Sequence, residues 1–279
     1  MSLDRLEPET TALLVIDMQN AFCHPEGTLG VSGVDVGPTR EAIPRIARLV
    51  ERCREAAVPA VWSRQVHLEP DASRARKRLA VHTQRRQRVS AVAGTWDAEL
   101  VDELKPLADD HPILVFTKHR FGCFHESRLD LLLRMLGARA LLVAGVTENA
   151  CVETTLREAY LRDYDVVAVT DCIAPVRTDW RETTHSVWSH YLCELATSDE
   201  VGGWLEGAAG PAVEQLGHLL LETADLKRAE RFYVDVLGFS VRKRERFRDG
   251  RPLVVTHQGL GLTSGVSGDG GPVEHIAFR

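Results

Sequence analysis

The sequence predicts an α/β fold in which helices cover both faces of a parallel sheet in three αβα layers, followed by a second, smaller domain. From about residue 11 to residue 205, strand-like apolar runs alternate with helix-like segments, the pattern of parallel strands joined by helices. A linker rich in glycine and alanine then precedes a segment with a different pattern. We therefore divide the 279 residues into a domain at 1–205, a linker at 206–212 and a module at 213–279.

The elements of the first domain follow from hydrophobic periodicity. Helical spacing of apolar residues predicts helices near 40–57, 126–136 and 150–162. Apolar runs typical of strands buried on both faces predict the strands Thr11–Ile16, Val58–Trp62, Pro112–Phe116, Ala140–Ala144, Val166–Val169 and Leu192–Ala196. In such sheets, ligands bind beyond the carboxyl ends of the strands.

Composition excludes several classes of protein. Hydrophobic residues make up 44% and charged residues 27% of the chain, as in ordinary globular proteins rather than disordered ones. The net charge of −6 gives no reason to expect a nucleic-acid partner. Aliphatic runs are far shorter than the ~20 residues that a membrane helix needs, and no secretion signal precedes the first strand. We therefore expect a cytoplasmic protein without a membrane partner, whose six cysteines are free thiols.

Three reactive residues follow predicted strands. Asp17 ends the first strand, Lys118 ends the third, and Cys151 follows the fourth and begins the next helix. Alone, each has an ordinary structural explanation, but parallel strands place all three at one edge of the sheet. A helix N-terminus and a nearby ammonium lower the pKa of a thiol, and a nearby carboxylate can accept its proton. The three residues therefore predict a site with a cysteine nucleophile.

A long basic segment connects the second and third strands, between about residues 63 and 111. Long connections are commonly lids or subunit contacts. This segment is either a solvated basic helix or a flap whose arginines attract an anionic substrate. Its basic residues are Arg74, Arg76, Lys77, Arg78, Arg85, Arg86 and Arg88.

Residues 9–205 resemble the isochorismatase-like cysteine hydrolases. The motifs that carry the resemblance are LLVIDMQNAF at 13–22 and GVTENACVETT at 145–155. The resemblance implies an Asp17–Lys118–Cys151 catalytic triad and a cis peptide bond at Val146–Thr147. It also implies an oxyanion hole formed by the backbone amides of Thr147 and Cys151.

Within this family, Cys151 favours hydrolysis of a C–N bond, since true isochorismatases generally lack the nucleophilic cysteine. The Asp-x-His metal motif of nicotinamidases is absent after the second strand, where His67 stands alone. We therefore expect no metal and no cofactor, and a surface or pocket-lining position for His67. Four aromatic residues are either pocket walls or core: Phe22, Trp62, Trp96 and Phe121.

The module at 213–279 resembles the first βαβββ module of the glyoxalase (vicinal oxygen chelate) family. The resemblance rests on LGHLLLETAD at 216–225 and AERFYVDVLGF at 229–239. Asp225 is the expected N-cap of a helix, and Gly238 follows the helix end. His218 matches the metal ligand in the first strand of that family, and His275 resembles the start of a second module. No acidic ligand is found around 259–263, so we expect both histidines to be structural remnants. His275 also begins a strand without an evident partner, which favours a homo-oligomer that pairs two half-domains.

The resemblance as a whole implies a metal-independent cysteine amidohydrolase that acts on a small amide, carbamoyl or ureido substrate through a thioester. Three alternatives remain open at this point. The chain could be an isochorismatase- or nicotinamidase-type hydrolase. It could be a metal-binding glyoxalase- or dioxygenase-like protein with a vestigial hydrolase domain. It could also be a binding or regulatory protein whose hydrolase domain is inactive.

Overall fold

A computed structural model describes residues 3–68, 86, 88–208, 216–246, 250–257, 260–265 and 273–278 of the chain. The chain forms two compact units, Met1–Gly210 and Pro211–Arg279. The last helix of the first unit extends to Ala208, three residues into the predicted linker at 206–212. The rest of that linker lies outside the described residues.

The first unit contains a six-stranded parallel sheet in the order β3-β2-β1-β4-β5-β6, which confirms the predicted α/β class. The second strand begins two residues later than predicted. The third begins three residues later, because Pro112–Leu114 form a 3-10 helical turn before it. The strands are β1 Thr11–Ile16, β2 Ala60–Gln65, β3 Val115–Lys118, β4 Ala140–Val146, β5 Asp165–Ala174 and β6 Glu194–Ala196.

Helices cover both faces of this sheet. Side chains alternate along a strand, and in β1 Leu13 and Val15 enter one apolar core whereas Leu14 and Ile16 enter the other. None of the described helices combines the length and the apolar character that a membrane crossing requires. The described helices of the first unit are α1 Asn20–Cys23, α2 Thr28–Val31, α3 Gly37–Glu55, α4 Lys105–Asp109, α5 Leu129–Met135, α6 Glu153–Tyr160, α7 Arg181–Tyr191 and α8 Ser198–Ala208.

Strand order and register bring the predicted site together. β1 lies between β2 and β4, and Ile16 is in register with both Ser63 and Gly145. At the end of β2, Gln65 is in register with Lys118. The residues that end β1, β2 and β3 therefore share one edge of the sheet with the loop that follows β4, where an α/β sheet binds its ligands.

The second unit is a five-stranded sheet in the order β11-β7-β10-β9-β8. Its helix, α9 (Leu226–Arg231), begins at the predicted cap, because Asp225 Oδ1 accepts a hydrogen bond of 2.9 Å from Arg228 N. The helix continues as a π-helical turn, Phe232–Val236. Gly238 lies just beyond this turn and adopts φ 72°, as expected of a glycine that follows a helix end. Its strands are β7 Leu216–Thr223, β8 Val241–Arg246, β9 Pro252–Thr256, β10 Leu260–Ser264 and β11 Val273–Phe278.

Strand β11, which contains His275, is paired within its own chain. It runs antiparallel to β7, and Ala277 is in register with His218. The expectation that His275 begins an unpartnered strand is therefore wrong, because the edge of β7 is available to pair with it. A homo-oligomer stays a prediction that has lost this support. The side chains of His218 and His275 lie outside the described part of the structure.

Candidate active site

A buried ion pair forms the centre of the site. Asp17 directly follows β1 with φ 51°, a conformation that is uncommon for a residue other than glycine. Its Oδ2 atom lies 2.7 Å from Lys118 Nζ, and neither side chain is exposed. Its Oδ1 atom accepts a hydrogen bond of 2.7 Å from Ser63 Oγ. Because isolated charges are very costly to bury, each of these two side chains depends on the other.

The Cys151 thiol is linked to this pair by Gln65. Cys151 lies in a single turn of π-helix, Glu148–Val152, which connects β4 to α6. Its Sγ donates to Gln65 Oε1 at 3.3 Å, and the same oxygen accepts from Lys118 Nζ at 3.2 Å. Gln65 was not among the predicted site residues, because the predicted second strand ended at Trp62. Because β2 extends to Gln65, the side chain of this residue reaches the edge of the sheet where Asp17 and Lys118 lie.

Burial dominates the titration of the site. It raises the pKa of the Cys151 thiol well above its ordinary value, against the lowering effect of Lys118 and together with the charge of Asp17. Burial lowers the pKa of Lys118, but the negative charges of Asp17 and Cys151 outweigh it and the net shift is upward. The resting site therefore holds a neutral thiol beside a charged ammonium. The ammonium of Lys118 lowers the pKa of the thiol, as expected, but desolvation has the larger and opposite effect.

The thiol opens into a cavity of about 550 Å³. Phe22 and Phe121 line it, as two of the four aromatic predictions expected. Its walls, as far as they are described, comprise Phe22, Leu29, Ser32, Val34, Gln65, Arg86, Phe121, Val146, Thr147, Asn149, Ala150, Cys151, Val176, Arg177 and Trp180.

Trp62 and Trp96 are not among the described residues that line the cavity. Trp62 is 1% exposed and packs in the apolar core that contains α3, because its position on β2 directs it to that face. Trp96 is 46% exposed and meets the ring of His24 edge to face at 4.9 Å. Trp180 lines the cavity as well. It belongs to the short helical turn Thr178–Trp180, which hydrophobic periodicity did not predict.

Two arginines contribute positive charge to the cavity. Arg86 comes from the predicted basic segment, of which residues 69–85 and 87 lie outside the described part of the chain. Burial lowers the pKa of its guanidinium, and the charges of Cys151 and Asp97 partly offset this effect. Arg177 is held by two hydrogen bonds to Asp179, of 2.8 and 2.6 Å, and stacks on Trp180. Both guanidinium groups therefore lie at the cavity wall, and the charge of Arg177 is partly compensated by Asp179.

The turn after β4 has the expected backbone. The Val146–Thr147 peptide bond is cis, and Thr147 lines the cavity with Cys151. His67 is buried, with Nδ1 2.8 Å from the carbonyl oxygen of Ser90, and is not at the surface. Within the described ranges, no three His, Cys, Asp or Glu side chains are grouped so that they could hold a metal ion.

Comparisons with known proteins match both units. The isochorismatase domain model matches residues 11–200, and the glyoxalase/bleomycin resistance protein/dioxygenase superfamily model matches residues 215–279. Ureidoacrylate amidohydrolase RutB of Methylobacterium radiotolerans is 36% identical over 217 residues, which cover 73% of this chain and 79% of that protein. RutB of Methylorubrum extorquens is 38% identical over 178 residues, which cover 59% of this chain and 70% of that protein.

Solved structures agree with the sequence relatives. A cysteine hydrolase from Pseudomonas syringae pv. phaseolicola 1448A superposes with a TM-score of 0.62 and 27% identity, over 73% of this chain and 95% of the other. N-carbamoylsarcosine amidase from Thermoplasma acidophilum superposes with a TM-score of 0.56 and 25% identity, over 68% of this chain and 97% of the other. Taken with the match over residues 11–200, these similarities show that the chain belongs to the isochorismatase family.

Proposed function

We propose that this chain is a cysteine-dependent amidohydrolase that cleaves a C–N bond of a small carbamoyl or ureido acid. The observation that carries the proposal is the arrangement of the Cys151 thiol, which opens into the cavity and shares Gln65 Oε1 with the ammonium of a buried Asp17–Lys118 pair. A thiol beside a carboxylate base can carry out covalent hydrolysis of an amide, and a fixed cation stabilises the thiolate. The isochorismatase family and its amidohydrolase relatives support the same reaction class.

The proposed first half-reaction begins with transfer of the thiol proton to Asp17. Because burial raises the pKa of Cys151, the thiolate forms as the sulfur attacks the carbonyl carbon rather than before substrate binds. The negative charge that develops on the carbonyl oxygen is met by the backbone amides of Thr147 and Cys151, and such donors are worth about 3 kcal/mol each. Asp17 then gives the proton to the leaving nitrogen, the C–N bond breaks, and a thioester on Cys151 remains.

The second half-reaction releases the acyl group. Asp17, ionised again after the amine leaves, accepts a proton from water as the water oxygen attacks the thioester carbonyl. The C–S bond breaks, and the proton returns to sulfur. Lys118 stabilises negative charge on Asp17 and on the sulfur throughout, since its ammonium is 2.7 Å from Asp17 Oδ2.

The preference for an acidic substrate is supported by Arg86 and Arg177, which line the same cavity as the thiol. A guanidinium binds a carboxylate through paired hydrogen bonds. The names of two relatives, ureidoacrylate amidohydrolase and N-carbamoylsarcosine amidase, also describe substrates that combine a ureido or carbamoyl group with an acid. The flap interpretation of the basic segment is therefore the one that we propose for Arg86.

Ammonia release from three groups of compounds tests the proposal: ureido acids, N-carbamoyl amino acids and neutral amides such as nicotinamide. We expect activity on the acidic groups and loss of all activity in Cys151→Ala. Cys53→Ala is the matched control, because Cys53 is a buried thiol in α3, in the core that contains Trp62. Hydrolysis by Cys151→Ala at the wild-type rate contradicts the mechanism, whereas a preference for neutral amides contradicts the substrate class.

A further inference from the structure

Helix α7 presents polar side chains to the turn that carries Cys151. Arg181 Nε lies 3.8 Å and His185 Nε2 lies 3.5 Å from Oε2 of Glu148, the first residue of that turn. One residue later, Asn149 Nδ2 donates a hydrogen bond of 2.6 Å to Thr184 Oγ1. Positions 181, 184 and 185 lie on one face of a helix, so α7 holds the nucleophile turn through a continuous polar contact.

Arg181 also holds an irregular part of the sheet. Its Nη2 donates to the carbonyl oxygens of Thr170 and Ile173 in β5. The register between β4 and β5 shifts at this point, since Val143 pairs with Ala168 but Gly145 pairs with Ile173. Irregularities of this kind are frequent beside active sites. One guanidinium therefore connects the irregular stretch of β5 with Glu148.

Glu148 is an unusual residue to find in this position. Its side chain is not exposed at all, and neither carboxylate oxygen accepts a hydrogen bond from another described residue. It does not line the cavity, although Thr147, Asn149, Ala150 and Cys151 on either side of it do. A buried carboxylate without hydrogen bonds is unfavourable for folding. The burial of Glu148 is therefore better explained by a function than by a contribution to stability.

We propose that Glu148 is a positioning residue for the nucleophile turn. Its charge, held between Arg181 and His185, fixes residues 147–151 so that the amides of Thr147 and Cys151 face the cavity and the thiol reaches Gln65. Glu148 does not touch the substrate and moves no proton. This inference rests on the proposed cysteine mechanism, because it concerns the geometry of the same turn.

The Glu148→Gln variant keeps the shape of the side chain and removes its charge. We expect kcat to fall about tenfold or more, because small displacements of reacting groups slow a reaction strongly. We expect KM to change by less than about threefold. We also expect the melting temperature to stay level or rise, since a buried charge is removed and the Arg181 side chain that loses its partner is 33% exposed. The matched control is Glu153→Gln, which makes the same change five residues later at a surface pair with Arg157 and should leave kcat and KM unchanged.

A second variant tests the coupling. If Glu148 acts through Arg181, the effects of Glu148→Gln and Arg181→Met on kcat are not additive, and the double variant is no slower than the slower single one. A kcat of Glu148→Gln within about twofold of wild type, or a lower kcat accompanied by a lower melting temperature, overturns the inference while the proposed function stands. Hydrolysis by Cys151→Ala at the wild-type rate overturns the proposed function and, with it, the basis of this inference.

Discussion

The Asp17–Lys118 pair keeps two opposite charges out of water, and the Cys151 thiol stays neutral beside them. Burial raises the pKa of that thiol, so the thiol keeps its proton. A second negative charge therefore does not form near Asp17 until another group accepts that proton. Gln65 contacts both the ammonium and the sulfur, and so links the thiol to the buried pair.

Replacement of Lys118 by Met should weaken both the reactivity of the thiol and the fold. The positive charge of Lys118 lowers the pKa of Cys151, so its removal raises that pKa further and reduces the thiolate fraction at every pH below it. We expect alkylation of Cys151 by iodoacetamide to rise with pH from 7 to 9 in wild type and to be about tenfold slower in the variant. Mass spectrometry of the peptide that contains Cys151 measures these rates.

The same variant leaves Asp17 buried without its partner. Breaking a buried ion pair costs about 3–5 kcal/mol, and the urea midpoint should fall accordingly. Lys105→Met serves as the control, because Lys105 is 46% exposed and pairs with Glu99 at the surface, where a pair is worth about 0–1 kcal/mol. Alkylation of the Lys118→Met protein as fast as wild type would show that Lys118 is not the electrostatic partner of the thiol.

At the scale of elements, the close packing of β1 against β4 brings the residues of the candidate active site together. Gly145 in β4 adopts φ 117°, and a Cβ atom there would lie 2.2 Å from the carbonyl oxygen of Ile16. Ile16 is the last residue of β1 and directly precedes Asp17. The absence of a side chain at 145 is therefore what allows Asp17 and the Cys151 turn to approach each other.

The Gly145→Ala variant should separate the two strands at the site. We expect backbone strain and overpacking to lower the free energy of unfolding by about 2–4 kcal/mol. We also expect displacement of Asp17 to reduce the activity about tenfold or more. Urea unfolding and ammonia release measure the two effects. Gly203→Ala in α8 is the control, since a Cβ atom added there meets nothing within 4 Å. Alanine at this helical position should raise the free energy of unfolding by about 0.5–1 kcal/mol. Wild-type stability and rate in Gly145→Ala would refute this account of the strand contact.

Much of this arrangement could be predicted from the sequence. Asp17, Lys118 and Cys151 follow apolar strands, and parallel topology puts strand ends at one edge, so hydrophobic pattern alone assembles them. Gln65 was missed because a strand boundary is set by pairing with neighbours, which periodicity does not record. The contact of Glu148 with α7 was missed for a related reason: it joins side chains 33 and 37 positions apart, through a π-helical turn that no pattern of apolar residues signals.

At the scale of the whole molecule, each unit has an apolar core of its own. Every residue of the two larger cores lies between Leu3 and Leu205, and every residue of the third lies between Leu221 and Leu262. Strand β11 completes the sheet of the second unit by pairing with β7. The second unit is nevertheless small, and modules below about 70–80 residues rarely stabilise themselves by core burial alone.

A chain that ends at Ala208 should therefore fold and keep the chemistry of Cys151. All of the described cavity walls, the Asp17–Lys118 pair and the Glu148 contact with α7 belong to residues before 208. We expect the truncated protein to release ammonia at about the rate of the full chain, because changes at distant, independent sites have little effect on one another.

Residues 211–279 alone should unfold at a lower temperature or not fold. Size-exclusion chromatography of both chains shows whether the second unit sets the oligomeric state. A truncated protein that is folded but inactive would mean that the second unit contributes to the active site, and the division of roles between the units would have to be abandoned.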